Sequence, residues 1–589
     1  MLNSKRNNIW INLGIILFFC LFTLLLTGIF IKKNLLYPSA DSVFHFSRVE
    51  EIYNNLKNGE GITYIASHTF NSTGVASFLF YPTVFLYPWA LLKFVLAPVT
   101  AFYIWFSIMM LLTMIVAYYS MYIFSNNRYR SILFSIMYVI APYHLFLGIY
   151  NFTLGEFIAY TFIPIVFVGL HQALTDGKYW YLLGIGWSLL IYSHIVSTYI
   201  ASLTIAIVSL IYMITNIDKI KRVIINLVKN GILALLLSMG IIIPFITDYI
   251  NQGISAPRKD FYFLESFQEL FLSSIVNLAN DNKSLGIIVI ATVVIGWWFI
   301  KRARTVEKIS YLLGIIFMLI TTTIVPWEMM RETPLRNILG VIQFPYRFNS
   351  YTIFFVLVVT SLIFSNLLQN MKKQVRVLTL ALVVFGLFVS YVGSISNVYS
   401  RIITAPQTSL SKAKQTAQIL PNAVVDNDSY KNMFSYVMTY GEADYFPKAS
   451  FDGEMNASAA ILLSYPKINS ILSHKLIVNG KERVGIPISE PNRVIYKVKL
   501  KEKAIVDVPA VAYNHTQVIL NGKPSKHTVS SRGTVQVLAK KGNNQIEVTY
   551  RPSKLFFVGI AISVLTWIAL LIIWMAKKLR DNNKQGWRN

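Results

Sequence analysis

Long apolar runs recur along most of the chain and constrain its fold more than any other feature. Runs of about 20 apolar residues have the length of a helix that crosses a bilayer. Of the 589 residues, 55% are hydrophobic and 14% are charged, and a soluble fold could not bury so much apolar surface. The pattern predicts a polytopic α-helical membrane protein with about twelve spans. We place them at 10–31, 99–123, 131–149, 153–173, 180–195, 197–214, 223–247, 284–300, 309–325, 348–369, 375–396 and 555–576.

The basic residues indicate an orientation for these spans. The net charge is +26, and Lys and Arg concentrate in short loops at 125–130, 215–222, 301–308 and 371–376. Such loops are typically cytoplasmic, so both termini are predicted to be cytoplasmic. This distribution favours contact with membrane lipids and gives no indication of a nucleic-acid partner. The single cysteine lies in the first span, which excludes an intrachain disulfide and a cysteine-based metal site.

This topology divides the chain into three parts. Residues 1–396 form a transmembrane domain, residues 397–553 a polar external domain, and residues 554–589 the last span with a basic cytoplasmic tail. The external loops of the transmembrane domain are predicted at 32–98, 248–283 and 326–347. Within the first loop, residues 77–97 are apolar, but two prolines and a lysine favour an interfacial or re-entrant segment over a span.

The external domain has a different pattern from the rest of the chain. Alternating runs rich in Val, Ile, Tyr and Thr predict strands, for example at 494–500 and 545–550. Asn-Gly pairs at 479–480 and 521–522 are typical of two-residue hairpin turns. With 20 Lys and Arg against 11 Asp and Glu, the domain carries about +9. We predict a small antiparallel sandwich or barrel, suited either to docking on anionic envelope polymers or to a scaffold with a solvated basic face.

Ionisable residues concentrate at the external ends of the predicted spans. Asp41, His45 and Arg48 follow the first span at i, i+4 and i+7, so they share one face of a predicted helix. Polar groups at membrane depth are costly, and they indicate a functional site. Four more such residues are predicted on the same side of the membrane: Glu156, His194, Arg331 and Arg347.

Each of these residues also fits a structural role, and the sequence leaves both interpretations open. Asp41 suits the N-cap of a helix that begins at Ser42. Arg48, together with Glu50 and Glu51, is typical of a charged, exposed helix face. The other structural roles are a solvated helix position for His45, a structural pair for Glu156, a bond to a backbone carbonyl for His194 and an interfacial anchor for Arg347.

Four short motifs resemble one group of bacterial membrane proteins. They are Asp-x-x-x-His at 41–45, Leu-Gly-Glu at 154–156, Ser-His at 193–194 and Gln-Phe-Pro-Tyr-Arg-Phe at 343–348. The group is labelled 6-pyruvoyl-tetrahydropterin-synthase-related and is similar to YfhO-like proteins, and both resemble the GT-C superfamily of membrane glycosyltransferases. No feature of the sequence is typical of a soluble pterin enzyme. The resemblance implies a multi-pass protein of the bacterial plasma membrane.

The resemblance also implies a reaction, the inverting transfer of a sugar from a polyprenyl-phosphate donor on the outer face. The acceptor would be an envelope polymer, such as a teichoic acid, or a glycolipid. Asp41 matches the position of the catalytic base, because a carboxylate there can take the proton from an acceptor hydroxyl. The residues assigned to the donor phosphate or the substrate are His45, Arg48, Glu156, His194, Arg331 and Arg347.

Metal dependence and two other functions stay open at this point. Some GT-C enzymes use a divalent cation, and no second carboxylate is evident beside Asp41 in its loop. A transporter or flippase of a lipid-linked saccharide would line a path near the membrane midplane with its ionisable groups. A non-catalytic assembly or binding protein would act through residues 397–553 and would not depend on Asp41.

Overall fold

The computed structural model describes residues 2–175, 177–255, 259–404, 420, 423–436, 443–451 and 465–586. Helices occupy most of residues 2–404 and the last segment, and the strands lie between them. The α-helices are α1 (Leu2–Lys33), α2 (Ser42–Lys57), α3 (Ser77–Phe80), α4 (Tyr87–Leu92), α5 (Pro98–Ser125), α6 (Arg128–Val139), α7 (Pro142–Leu145), α8 (Leu154–Thr175), α9 (Leu182–Ile191), α10 (Ile195–Thr215), α11 (Ile220–Pro244), α12 (Phe267–Val276), α13 (Ile287–Ile300), α14 (Thr305–Ile320), α15 (Trp327–Met330), α16 (Leu335–Leu339), α17 (Asn349–Gln369), α18 (Lys373–Thr404), α19 (Pro466–Leu472) and α20 (Lys554–Gly586).

Eight of the described helices are long and apolar enough to cross a membrane. The bent pair formed by α6 and the segment that starts with α7 makes a ninth if it is one span. These nine correspond to nine of the predicted spans. The other three, at 180–195, 284–300 and 309–325, contain helices of 10, 14 and 16 residues. Because a helix needs about 20 residues to cross the hydrocarbon core, the predicted number of twelve is not confirmed.

Residues 77–97 contain no helix of spanning length in the structure. α3 has 4 residues and α4 has 6, and a 3-10 turn at Val84–Leu86 separates them. Lys93 pairs with Glu50 of α2 and lies 4.4 Å from the ring of Tyr53. The segment therefore packs against α2, as a non-spanning segment would.

α8 and α17 form the centre of the helix bundle, since 83% and 78% of their most apolar stretches are buried. α8 packs against α5 and α9, and α17 packs against α6, α13 and α14. The C-terminus of α1 lies beside the N-terminus of α5 in space, and there Thr100 Oγ1 donates to Asn34 Oδ1 over 2.9 Å. We call this end of the bundle the Asp41 end. α5 has 28 residues, so its other terminus, the far end, lies about 40 Å away.

The β-region forms two five-stranded antiparallel sheets. Their strand orders are β2-β1-β5-β9-β8 and β3-β4-β10-β6-β7. The strands are β1 (Lys475–Val478), β2 (Lys481–Val484), β3 (Ile488–Glu490), β4 (Arg493–Leu500), β5 (Ala504–Val511), β6 (Thr516–Leu520), β7 (Lys523–Ser525), β8 (Thr528–Val529), β9 (Thr534–Ala539) and β10 (Gly542–Tyr550). Apolar residues from both sheets share one buried cluster, so the region is a sandwich.

The two Asn-Gly pairs form the predicted hairpin turns. Asn479 and Gly480 connect β1 to β2 with φ values of 47° and 79°. Asn521 and Gly522 connect β6 to β7 with φ values of 52° and 78°. Positive φ at both central residues matches the twist of a two-residue hairpin, and glycine adopts it without a steric cost. The strands predicted at 494–500 and 545–550 are confirmed as parts of β4 and β10.

The β-sandwich contacts the Asp41 end of the bundle. Asp248 follows α11, and its Oδ1 accepts a hydrogen bond from Tyr550 over 2.8 Å and lies 2.6 Å from Nδ1 of His515. The backbone N–H of Val511 donates to the carbonyl of Thr73 over 2.8 Å. The sandwich thus rests on the segment after α11 and on the loop that follows α2.

Candidate functional site

Asp41 stands at the start of α2, but its side chain does not cap the helix. It occupies the N-cap position, and its carboxylate accepts no hydrogen bond from the first turn. Its backbone N–H donates to the carbonyl of Asn151 over 3.3 Å, and the Ser39 hydroxyl donates to the carbonyl of Tyr150. These bonds attach the first loop to the segment before α8. The carboxylate itself is left for another partner.

α2 is a polar helix that is almost completely buried. Arg48 and Glu51 have no exposed surface and Glu50 is 6% exposed, so the predicted exposed charged face is wrong. Residues 63–94 pack against this face and cover it. The spacing of the charged residues along the sequence could not indicate this packing. Glu50 pairs with Lys93, and Glu51 accepts hydrogen bonds from the backbone N–H groups of residues 67–69. Both glutamates therefore have structural partners.

Arg48 and His45 keep unused hydrogen-bonding atoms in buried positions. Arg48 donates through Nη2 to the carbonyls of Tyr81 (2.7 Å) and Pro82 (2.8 Å), whereas Nε and Nη1 have no partner. It forms no ion pair with a carboxylate in the described part of the chain. Nδ1 of His45 is also unpartnered. Burial, with Arg48 and His194 nearby, holds the pKa of His45 well below its usual value. A buried guanidinium without a counter-ion is costly and favours an anionic ligand.

Glu156 and Arg347 form a loose ion pair beside Asp41. Nε of Arg347 lies 3.6 Å from Oε2 of Glu156 and has no hydrogen-bond partner. Oε1 of Glu156 accepts a hydrogen bond from Tyr143 over 2.8 Å. Nη1 of Arg347 donates to the carbonyl of Ile342 over 2.6 Å, and the guanidinium lies 4.7 Å from the ring centre of Phe344. The arginine is thus fixed in direction while part of its donor capacity is unused.

His194 and Tyr81 form a further wall of the cluster. His194 caps α10, and the backbone N–H of Ser197 donates to its Nδ1 over 3.3 Å, which leaves the proton of a neutral imidazole on Nε2. The rings of Tyr81 and His194 are 6.1 Å apart. A Cβ at Gly155 would overlap the Tyr81 hydroxyl and lie 3.1 Å from Cδ2 of His194. The glycine of the Leu-Gly-Glu motif is therefore required by this close packing.

The electrostatic surroundings of Asp41 raise its proton affinity. Burial raises the pKa of Asp41 to about 7, the guanidinium of Arg347 opposes this rise, and the carboxylate of Glu156 adds to it. Asp444, in the 3-10 turn Ala443–Tyr445, lies close enough to interact with Asp41. Burial raises the pKa of Asp444 to about 7, and the charge of Asp41 contributes. The cluster therefore holds two acids that are only partly ionised at neutral pH.

Arg331 belongs to a different set of contacts. Its Nε lies 2.8 Å from Oδ1 of Asp260, and its Nη2 donates to the carbonyl of Phe261. These bonds connect the two external loops predicted at 248–283 and 326–347. Arg331 therefore has a role in connecting loops, and the charges that act on Asp41 are those of Arg347 and Glu156.

Six of the seven predicted site residues meet in one cluster: Asp41, His45, Arg48, Glu156, His194 and Arg347. Two members were missed by the sequence reasoning. Tyr81 lies in the apolar segment 77–97, and only its position among aromatic residues could have indicated it. Asp444 lies about 400 residues beyond Asp41, and no motif in the sequence connects the two acids. Among the described residues, no group of three or more His, Cys, Asp or Glu side chains has the arrangement of a metal site.

Comparison with known protein families identifies the family of the chain. No curated protein matches the chain. The model of a family described as the 6-pyruvoyl-tetrahydropterin synthase related domain, a membrane protein, matches residues 78–397. The matched range is more than half of the chain and includes Glu156, His194 and Arg347, whereas Asp41 precedes it. The chain therefore belongs to the 6-pyruvoyl-tetrahydropterin synthase related family of membrane proteins.

Proposed function

We propose that the protein transfers a sugar from a polyprenyl-phosphate donor to an acceptor hydroxyl, with Asp41 as the general base. The observation that carries this proposal is the Asp41 carboxylate. It is not used by the helix cap, its pKa lies at about 7, and Arg347 and Glu156 lie within electrostatic reach. A base with a pKa near the working pH is ionised in a large fraction of molecules and still binds a proton well.

The positive charges of the cluster fit the leaving group of this reaction. A departing lipid phosphate needs donors that are oriented before the reaction. Arg48 has two free nitrogens in a buried position, and Arg347 has a free Nε. In the proposed reaction Arg48, Arg347 and the imidazoles of His45 and His194 bind the phosphate. Asp41 takes the proton from the acceptor as the new glycosidic bond forms.

The location of the cluster favours a transferase over a transporter. Asp41 precedes α2, Glu156 is in the first turn of α8, His194 caps α10 and Arg347 precedes α17. All four lie at ends of helices, whereas alternating access favours ionisable groups near the midplane. The proposal places the Asp41 end outside the membrane of a bacterial cell, with both termini in the cytoplasm. The acceptor is then an envelope polymer, such as a teichoic acid, or a glycolipid, which the β-sandwich above the site can contact.

The test is the Asp41→Asn variant, compared with Asp428→Asn. Asp428 is an exposed acid of the same type near the Asp41 end and serves as the matched control. Membranes that contain each variant receive polyprenyl-phosphate donor with a labelled sugar, and label in acceptor polymer and in unused donor is measured. We expect Asp41→Asn to lower transfer by about 100-fold or more and to retain donor binding. Asp428→Asn should transfer sugar at the wild-type rate.

Full transfer by Asp41→Asn would exclude Asp41 as the base. If wild-type membranes transfer no more label than membranes without the protein, the alternative of a non-catalytic assembly or binding protein is favoured. These two outcomes differ, because only the first leaves a protein-dependent product.

A further inference from the structure

A polar cavity lies at the far end of the bundle, remote from the candidate site. It has a volume of about 390 Å³. The loop between α5 and α6, the loop between α13 and α14, and the end of α17 contribute to its wall. The residues that matter for its chemistry are Asn127, Arg130, Arg302, Arg304, Glu307 and Gln369. We call it the far-end cavity.

The floor of the far-end cavity is fixed by a saturated ion pair. Arg130 donates from Nη1 to Glu307 over 2.6 Å, from Nε to Ser361 over 3.3 Å and from Nη2 to the carbonyl of Val358 over 3.0 Å. Arg304 donates from Nη2 to the same Glu307 oxygen over 2.9 Å. These groups therefore hold one another at the floor of the cavity.

The wall of the cavity has an excess of positive charge. Three arginines and one glutamate line it, which gives a formal charge of +2. Arg302 is exposed and forms no ion pair with a carboxylate of the described residues. Gln369 adds an exposed amide group that can donate hydrogen bonds, whereas the amide nitrogen of Asn127 already donates to Ser365. An anion with several acceptor oxygens matches this set of donors.

Aromatic residues beside the cavity indicate its depth in the membrane. Trp297 and Trp298, near the end of α13, are 52% and 64% exposed. Lys301 lies 4.7 Å and 4.6 Å from their ring centres. Exposed tryptophans next to a lysine at the end of an apolar helix are typical of the level of the lipid headgroups. Arg302 follows directly, so its position suits contact with the phosphate of a lipid.

We propose that the far-end cavity binds the phosphate group of an anionic phospholipid of the adjacent leaflet. Arginine matches phosphate oxygens in pairs, and basic pockets between transmembrane helices bind anionic headgroups. The acyl chains would follow the apolar surface of α13. Free inorganic phosphate has the same headgroup chemistry, so the experiment has to separate the two sources. This proposal does not depend on the proposed transferase activity.

The experiment measures lipid retained by the purified full-length protein with native mass spectrometry. Wild type is equilibrated with phosphatidylglycerol, with phosphatidylcholine, and with inorganic phosphate alone. The variant is Arg302→Gln, which changes an exposed residue and leaves the ion-paired floor intact. Lys373→Gln is the matched control, because Lys373 is an exposed cation just beyond α17 that does not line the cavity.

We expect wild type to retain one phosphatidylglycerol in preference to phosphatidylcholine. Arg302→Gln should weaken that retention about tenfold, with an unchanged melting temperature, and Lys373→Gln should retain the lipid like wild type. Equal retention by Arg302→Gln and wild type, or equal loss in both variants, would overturn the proposal. Binding of inorganic phosphate without preferential retention of the phospholipid would overturn the lipid assignment.

Discussion

Two buried pairs of arginine and glutamate lie at opposite ends of the helix bundle and differ in how completely they are satisfied. At the far end, Arg130 lies 2.6 Å from Glu307, and all three nitrogen positions of its guanidinium have partners. At the Asp41 end, Arg347 lies 3.6 Å from Glu156, and its Nε has no hydrogen-bond partner. Saturated buried charges hold structure together, whereas unsaturated ones can bind a ligand. The same residue pair therefore holds the fold together at the far end, whereas at the Asp41 end the proposed function assigns it to ligand binding.

The largest effect that tests this comparison is on stability. Glu307→Gln leaves Arg130 and Arg304 without their carboxylate, and we expect a loss of about 3–5 kcal/mol in the free energy of unfolding. Glu156→Gln should cost about 1–2 kcal/mol, because the amide oxygen still accepts from Tyr143. Denaturant unfolding of the detergent-solubilised protein measures both. Equal losses in the two variants would remove the distinction between the pairs.

The next effect is on transfer. Arg347→Lys keeps a positive charge but loses the planar donors, and we expect transfer from the lipid-phosphate donor to fall about 100-fold with little change in stability. Arg336→Lys is the matched control, since Arg336 is half-buried in the same loop and its Nε donates to the carbonyl of Lys259, away from the cluster. Initial rates per folded molecule are the measurement. A normal rate of transfer per folded molecule in Arg347→Lys would contradict a binding role for Arg347, even if the variant is less stable.

A smaller effect is expected from the packing around Tyr81. Gly155→Ala places a methyl group against the Tyr81 hydroxyl and the His194 ring. Displacement of the Tyr81 and His194 rings should lower transfer about tenfold, because small shifts at a site weaken the alignment of reacting groups. Gly393→Ala is the control, since a Cβ at Gly393 meets no atom within 4 Å. Equal rates in the two glycine variants would show that the fit around Gly155 does not matter for the reaction.

The last effect is the dependence of the transfer rate and of stability on pH. Because the pKa of Asp41 is about 7, the transfer rate should rise up to tenfold per pH unit below 7 and level off above it. Stability should have the opposite trend. The folded state binds this proton more tightly than an unfolded aspartate with a pKa of about 3.9, so stability falls as pH rises from about 4 to about 7.

The pH prediction also separates Asp41 from Asp444. Asp444 also has a pKa of about 7, so Asp444→Asn should change the stability profile in the same pH range. The rate of that variant should still have an inflection. Asp41→Asn should remove the inflection of the residual rate. Rates and unfolding free energies between pH 5 and pH 9 provide the measurement. An inflection that follows Asp444 in place of Asp41 would assign the base to the other acid.

The local features of the fold were predictable because they depend on short-range chemistry. The turns at Asn479-Gly480 and Asn521-Gly522 form where expected, since two adjacent residues with positive φ define a hairpin. The long apolar helices are also local features. The predicted number of twelve spans is not confirmed, because apolar composition at 180–195, 284–300 and 309–325 does not set where a helix ends.

The membership of the site was predictable only in part. Regular spacing placed Asp41, His45 and Arg48 on one helical face, and the positions at helix ends indicated Glu156, His194 and Arg347. Nothing local distinguished Arg331, which has its own acidic partner in Asp260. The burial of α2 could not be predicted from the sequence either. Charged residues have the same helical spacing on an exposed helix as on a helix that other segments cover.

The sequence by itself determined that this is a helical membrane protein with a β-rich region before its last helix, because apolar runs and turn residues act over short distances. Only the tertiary structure decided what its ionisable groups do. Long-range packing brings Asp444 to Asp41 across about 400 residues, leaves Arg48 and Arg347 with free donors, and saturates Arg130. Whether a buried charge binds a ligand or holds the fold depends on partners from other segments, and those partners are fixed by packing in three dimensions.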